Sequence, residues 1–278
     1  MNGIMIQGTA SNVGKSLITT GLCRLFARHD HKITPFKAQN MSGYSFQTAD
    51  KKEIGIAQAQ QAEAANIIPS VQMNPVLLKV LPDEQIEFFL LGEKQKIIKG
   101  SHFKETYYQM AKETIQTTLV QLKQNYEALI LEGAGSPVEM NLKEHELANM
   151  VIADMADVPV ILVADIDRGG AFASIVGTLQ LLTAKEKSRV SGIIINKFQG
   201  DIASFSSGVK WLESYTNIPV LGVVPYLEHG LMEEDALADS TKTNHTEEQR
   251  EATYNKLADH LEPYVDFAKI KAITFGEQ

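Results

Sequence analysis

The chain has 278 residues, of which 44% are hydrophobic, 7% aromatic and 22% charged. That composition excludes a disordered or fibrous chain and fits a globular protein long enough to bury a substantial core. A balance of 26 basic against 34 acidic side chains, net -8, argues against nucleic-acid binding through a basic surface. The one cysteine, Cys23, excludes an internal disulfide and a cysteine-built zinc site, so a reducing cytoplasm is the expected compartment. No apolar run reaches the ~18 residues of a membrane span. The N-terminus has neither the basic start nor the small-residue cleavage site of a signal peptide, so no membrane partner is expected.

The predicted elements alternate along the chain. Residues 4–7 read as a strand, followed by a glycine-containing loop, a helix over 14–28 and a second strand over 33–36. The alanine- and glutamine-rich stretch 53–66 predicts a helix, 86–91 a strand and 103–126 a long amphipathic helix. A buried strand at 128–131 leads into Glu132-Gly133-Ala134-Gly135-Ser136. Helices at 147–157, 171–182 and 202–215 then alternate with strands at 158–164, 190–195 and 218–224. Continuous apolar strands separated by helices predict a doubly wound, mostly parallel α/β sheet covered on both faces.

After Pro225 the chain turns acidic and polar, and 228–251 reads as a linker. A final amphipathic helix over 247–270 carries Tyr254, Leu257, Ala258 and Leu261 on one apolar face. The expected organisation is one domain over 1–227, a linker over 228–246 and a helical tail over 247–278.

The strongest motif is Gly8-Thr9-Ala10-Ser11-Asn12-Val13-Gly14-Lys15-Ser16, between the first strand and the first helix, where a phosphate loop belongs. Thr9, Asn12, Val13, Gly14, Lys15, Ser16 and Leu17 form the expected nucleotide cradle, with Lys15 on the β- and γ-phosphates and Ser16 on Mg²⁺. The spacing departs from the standard loop: Thr9 stands where the first glycine belongs, and Gly8 comes one residue earlier. The plain alternative is an ordinary glycine turn.

A phosphate loop does not choose among kinases, ligases and switch ATPases, so the ends of the other strands matter. Lys37, in Pro35-Phe36-Lys37-Ala38-Gln39-Asn40, can meet a transferring phosphoryl group or a substrate carboxylate; taken alone it is equally a surface lysine. Glu53 can be a charge at a helix start or a Mg²⁺ ligand. Gln58, Gln60 and Gln61 suit a substrate rich in amides and carboxylates, or a solvated helix face. Glu132 can coordinate Mg²⁺ beside the phosphate loop, and the glycines after it allow close approach. In Asp165-Ile166-Asp167-Arg168-Gly169-Gly170 the arginine can bind a carboxylate, and either acid can orient substrate or metal; an Asp cap with a local Arg pair is the alternative. Asn196 can pair with an adenine edge, with Phe198 beside it. No histidine has a metal-ligand spacing, and no GxSxG elbow is present.

In order, the segments GTASNVGKS, PFKAQNMS, EIGIAQAQQAEAA, MNPVLLK, LEGAGSPVEMNL, NMVIADMADVPVILVADIDRGGAFASIVGTLQLL, INKFQGD, IPVLGVVPY and EED resemble the N-terminal half of the cobyric acid synthases, over about residues 1–235. Those are glutamine-hydrolysing amidotransferases of cobalamin synthesis. A weaker likeness extends to dethiobiotin synthetase, which has the same variant loop. The resemblance implies a dethiobiotin-synthetase-like P-loop NTPase fold with a C-terminal helix, and ATP and Mg²⁺ as cofactors. It implies a ligase in which ATP phosphorylates the b, d, e and g carboxylates of the corrinoid adenosylcobyrinic acid a,c-diamide, and ammonia then displaces phosphate. It also implies Ser16, Glu53 and Glu132 as the metal set, Lys37 on the transferring phosphoryl group, Asn196 on adenine, and residues 165–170 near the corrinoid. The expected catalytic residues are thus Lys15, Lys37, Glu132 and Asp165, with Gln39, Asn40, Ser136, Asp167, Arg168 and Gly169 toward substrate.

Two residues depart from the family pattern: Tyr44, where a small polar residue is usual, and Val80, where proline is usual. The family draws ammonia from a C-terminal glutaminase domain with a cysteine nucleophile, a role Cys23 cannot fill from inside the first helix. The tail YNKLADHLEPYVDFAKI resembles the closing helix of longer members. The expectation is a synthetase half supplied by free ammonia or a separate glutaminase subunit, with a homodimer as a further hypothesis. Three rivals stand beside it. A dethiobiotin-synthetase-like ligase on a smaller substrate is opposed by DIDRGGAFAS and AQNMS. A ParA- or MinD-like switch ATPase would carry an extra loop lysine where Gln7 and Gly8 stand. The last is a non-catalytic nucleotide-binding remnant.

Overall fold

The computed structural model describes residues 2–81, 85–99, 103–141, 146–231 and 246–277. Strand β1 (Gly3–Gly8) feeds the loop at 9–14 and helix α1 (Lys15–Arg28), and β2 (Ile33–Phe36) follows. Short strands β3 (Gln39–Ser42), β4 (Phe46–Gln47) and β5 (Glu53–Ile54) precede α2 (Ile56–Ala64). Next come β6 (Val76–Val80), β7 (Gln85–Leu90), β8 (Glu93–Lys99), the long helix α3 (Phe103–Asn125) and β9 (Ala128–Glu132). The chain then alternates through α4 (Met150–Ala156), β10 (Val160–Asp165), α5 (Ala171–Leu181), α6 (Ala184–Lys187), β11 (Val190–Phe198), α7 (Ser206–Thr216) and β12 (Val220–Pro225). It closes with α8 (Glu247–Leu261) and α9 (Phe267–Phe275).

The main sheet runs β12-β11-β10-β1-β9-β2, with every pairing parallel. The strands after β1 lie on both sides of it: β9 and β2 on one, β10 to β12 on the other. β1 therefore ends at the topological switch point, where open parallel sheets leave a crevice for ligands. Alternation within β1 serves two cores. Met5 packs with Leu119 of α3, Ile152 of α4 and Ile175 of α5, while Ile4 and Ile6 pack with Leu22 of α1 and Tyr254 of α8. This is the doubly wound α/β architecture that the alternating pattern predicts.

Three features differ from the sequence expectation. A second sheet, β3-β6-β7-β8, follows β2; of its strands only β7 is among those predicted from the sequence. Glu53 does not open a helix, because Glu53 and Ile54 pair with Gln47 and Phe46, and α2 starts only after Gly55. The single helix expected over 247–270 is broken. Pro263, which lacks a backbone N–H, sits in a 3-10 turn over Glu262–Tyr264, and Val265 then bridges to Gly222 before α9 begins.

The expected apolar face of α8 is buried against α1. Gly21 permits that approach, since a Cβ there would lie 2.8 Å from Leu261 Cδ2. Arg24, only 5% exposed, donates to Asn66 and Asn255 and pairs with Glu251, tying α1 to α8. Most of the expected linker, and the EED segment, fall on residues 232–245, outside the described residues. Among the described residues no helix is long and apolar enough to cross a membrane.

Candidate functional site

A cleft of about 800 Å³ opens at the C-terminal end of β1. Its walls come from the loop after β1, the end of β2, the Glu132–Gly135 turn after β9, the end of β11 and the segment after β12. Short apolar strands deliver these polar residues to one rim because each strand ends where its apolar run ends.

The loop has a fixed shape. Asn12 and Gly14 both adopt left-handed backbone, φ 59° and 96°. Any side chain at Gly14 would collide with Asn196, whose Nδ2 would lie 2.1 Å from the added Cβ. Two successive residues of β11 hold two successive loop carbonyls from behind. Asn196 Nδ2 donates to the Val13 carbonyl at 2.9 Å, and Lys197 Nζ donates to the Asn12 carbonyl at 2.6 Å. Lys197 is anchored in turn by Asp165 at 2.9 Å. With these carbonyls drawn toward β11, the first turn of α1 points its N–H groups toward the cleft, the end of a helix that favours an anion.

Lys15 is buried to 7% exposure and spans the loop, donating to the carbonyls of Ala10 at 3.2 Å and Gly135 at 3.1 Å. Beneath it lies Glu132, 1% exposed. Glu132 Oε1 accepts from Ser16 Oγ at 2.7 Å and from Lys37 Nζ at 3.4 Å; Oε2 accepts from Gln61 Nε2 at 2.6 Å. A buried carboxylate is tolerated only with such partners, and the Lys37 ammonium supplies the balancing charge. Burial, with a contribution from the Glu132 charge, pushes the nearby Cys23 thiol far above its ordinary range. The turn after Glu132 is clipped by Asn149, which donates to the carbonyls of Ala134 and Ser136 and accepts from the Ala134 N–H.

Ser16 and Glu132 present two hard oxygens side by side, the donor chemistry that suits Mg²⁺. Among the described residues no three His, Cys, Asp or Glu side chains form a metal-binding group, so such an ion would take its remaining ligands from phosphate and water.

Of the residues expected from the sequence, Asn12, Gly14, Lys15, Ser16, Leu17, Lys37, Asn40, Glu132 and Asn196 line the cleft. Asn40, 2% exposed, donates to Gln58 Oε1. Val13 is buried beneath the loop, and the Thr9 N–H is bound to the Val163 carbonyl, so neither lines the cleft. Gln39, Ser136 and Asp165 are also absent from its walls, and Asp167, Arg168 and Gly169 are exposed outside it. Asp167 accepts from Gln199 Nε2 at 2.5 Å. Glu53 lies apart from Ser16 and Glu132 in the strand β5, paired with Lys79 and accepting from Ser45 Oγ at 2.6 Å. Burial alone would raise its pKa, but the Lys79 and Ser45 contacts hold it below the usual value. Of the glutamines expected to face substrate or solvent, only Gln60 lines the cleft; Gln58 and Gln61 are fully buried, and Gln61 instead binds Glu132. Lys197 has no role legible in the sequence, since neither spacing nor periodicity marks a side chain reaching from one element to another.

The family profile described as CobQ/CobB/MinD/ParA nucleotide binding domain matches residues 4–234. Cobyric acid synthase from Anoxybacillus flavithermus is 48% identical over 235 residues, 84% of this chain and 47% of that protein. Cobyric acid synthase from Klebsiella pneumoniae is 46% identical over 270 residues, 97% of this chain and 53% of that protein. The chain spans about half the length of the curated relatives it matches. Among solved structures, the signal recognition particle 54 kDa protein from Aeropyrum pernix is similar over 97% of this chain and 49% of that one, at 15% identity and a TM-score of 0.48.

Proposed function

Because the chain belongs to the CobQ/CobB/MinD/ParA nucleotide-binding family, we propose that it is the ATP-dependent ligase part of a cobyric acid synthase. Its substrate is adenosylcobyrinic acid a,c-diamide, amidated at the b, d, e and g carboxylates in the cytoplasm. Residues 1–227 form the ligase domain, 228–246 a linker and 247–278 a tail. The observation that carries the reading is the meeting of Ser16 and Lys37 on the buried Glu132 carboxylate, beneath Lys15. The identity to proteins named cobyric acid synthase supports the choice of substrate.

The chemistry follows from charge. A corrinoid carboxylate oxygen attacks the γ-phosphorus of ATP, the bond to the β,γ-bridging oxygen breaks and ADP leaves, giving an acyl phosphate. Ammonia attacks the acyl carbon, the carbon–oxygen bond breaks, inorganic phosphate departs, and loss of a proton from nitrogen leaves the amide. Ammonia comes from solution or from a glutaminase. Phosphoryl transfer needs positioning and charge neutralisation more than covalent help from the protein.

Lys15 turns from the Ala10 and Gly135 carbonyls to the β- and γ-phosphates. Lys37, already held at the rim by Glu132, meets the moving phosphoryl group. Bound Mg²⁺ supplies charge neutralisation on the phosphate oxygens, and Ser16 and Glu132 would hold it. Adenine takes the end of the cleft lined by Asn196, Pro225 and Tyr226. Asn40 and Gln60 also line the cleft, and their amides suit the amides and carboxylates of a corrinoid. Arg168 and its exposed neighbours then meet only the periphery of a large substrate.

The test is phosphate release from MgATP with the diamide and ammonium chloride. Release that depends on both corrinoid and ammonium is expected. Hydrolysis indifferent to corrinoid would refute the ligase reading, and nucleotide-dependent dimerisation would then mark a switch ATPase.

A further inference from the structure

We propose that Gln61 is a positioning residue that fixes the Glu132 carboxylate, so that Oε1, beside Ser16, is the oxygen offered to a divalent cation. The inference rests on the nucleotide-site reading above and adds a residue from a third element, α2.

Gln61 is fully buried, on a helix whose Ala57, Ala59, Ala62 and Ala64 are also buried. Those small side chains let α2 pack closely on its neighbours and carry a long amide to the end of β9. Gln61 Nε2 lies 2.6 Å from Glu132 Oε2. That is at the short end even for hydrogen bonds to ionised acceptors. At its other end Gln61 Oε1 is buried with no hydrogen-bond partner. An unpaired buried polar atom is costly, as it also is at Gln7 and Gln58, so what singles out Gln61 is its short contact to an ionised carboxylate. Exchanging the amide oxygen and nitrogen does not relieve the unpaired atom, since an amide oxygen would then face a carboxylate. The site therefore needs a donor at this point, and it needs a neutral one. A second acid would repel Glu132, and a lysine or arginine would compete with a bound cation for the same carboxylate.

The two carboxylate oxygens are thereby given different tasks. Oε1 is shared by Ser16 and Lys37, two groups that the reaction redirects to metal and phosphate. Oε2 is held by Gln61, which has no such second duty. When the other two turn away, the Gln61 contact keeps the carboxylate from rotating. Partners that orient a metal-binding group typically account for 10–100-fold in metal affinity.

The experiment measures binding of a fluorescent ATP analogue during Mg²⁺ titration, with Gln61→Met beside the parent chain. Methionine matches glutamine in length and lacks the donor. Expected are an unchanged affinity in EDTA, a modest fall in melting temperature because Glu132 Oε2 loses its donor, and a Mg²⁺ midpoint raised about tenfold or more. Mn²⁺, which takes the same oxygen ligands with higher affinity, should restore part of the loss. If the parent responds to Mg²⁺ and Gln61→Met gives the same midpoint, the Gln61 proposal falls and the nucleotide site stands. If the parent shows no Mg²⁺-dependent binding, both fall. An equal weakening with and without Mg²⁺ would overturn the proposal in favour of a packing role.

Discussion

Replacing Lys37 by methionine strands the Glu132 carboxylate in an interior where it is 1% exposed. The ammonium and the carboxylate are 3.4 Å apart. At an effective dielectric near 20 their attraction is about 5 kcal/mol, and removing one partner of a buried pair typically costs about 3–5 kcal/mol. A chain of this size loses about 2 °C of melting temperature per kcal/mol, so Lys37→Met should melt roughly 6–10 °C below the parent. Glu132→Gln leaves the Lys37 charge without its carboxylate and should also destabilise. The double variant carries neither charge, and the amide introduced by Glu132→Gln can keep its oxygen toward Gln61 Nε2 while its nitrogen donates to the Ser16 hydroxyl. It should lie closer to the parent than Lys37→Met alone, because a buried pair replaced as a unit is often nearly neutral. Thermal melts of the four proteins without nucleotide close the cycle. If the two losses simply add, Lys37 and Glu132 are not coupled and the electrostatic account of the site is wrong.

Lys15→Ala removes the cation that spans the loop and should lower ATP turnover by about 10²–10³ or more, in line with losing a preorganised transition-state contact; turnover within a few-fold of the parent would remove Lys15 from the site. Gly14→Ala combines left-handed backbone with a Cβ aimed at Asn196, so it should weaken nucleotide binding and lower the melting temperature together, as titration and melting of one sample would report. The depressed pKa of Glu53 means its ion pair with Lys79 stabilises the fold above the ordinary carboxylate value of 4.5, and that stability is lost as pH falls through the lower folded value. Lys79→Met should therefore lower the melting temperature at pH 7 by more than at strongly acid pH; an equal loss at both would contradict the assignment.

The parallel sheet is legible in the sequence because its strands are buried on both faces and read as unbroken apolar runs, such as ALIL at 128–131. The second sheet is not. β8, EKQKIIK, is an edge strand whose residues 93–97 are exposed, and neither alternation nor an apolar run betrays it. The break at Pro263 carries a plain signal, which the apolar spacing on either side masks. Within the cleft, Lys15, Ser16, Lys37 and Glu132 are foreseeable because each closes or follows a strand that the topology brings to one rim. Glu53 is not: its neighbour in space, Lys79, lies on β6, and sequence gives no register between β5 and β6. Gln61 and Lys197 likewise act across elements, on Glu132 and on the loop carbonyls.

The grip of Asn196 and Lys197 on the loop carbonyls bears on how the protein meets its ligand. A cradle braced from behind has its conformational entropy lost when the chain folds, not when an anion arrives. Capture then resembles collision with a rigid socket, and affinity is governed mainly by how long the ligand stays. The same brace ties the loop to β11 and, through Lys197 and Asp165, to the end of β10. The exposed Asp167–Gly169 turn thus starts two residues beyond an acid that anchors the loop's own support, so the outer surface and the loop share one set of contacts.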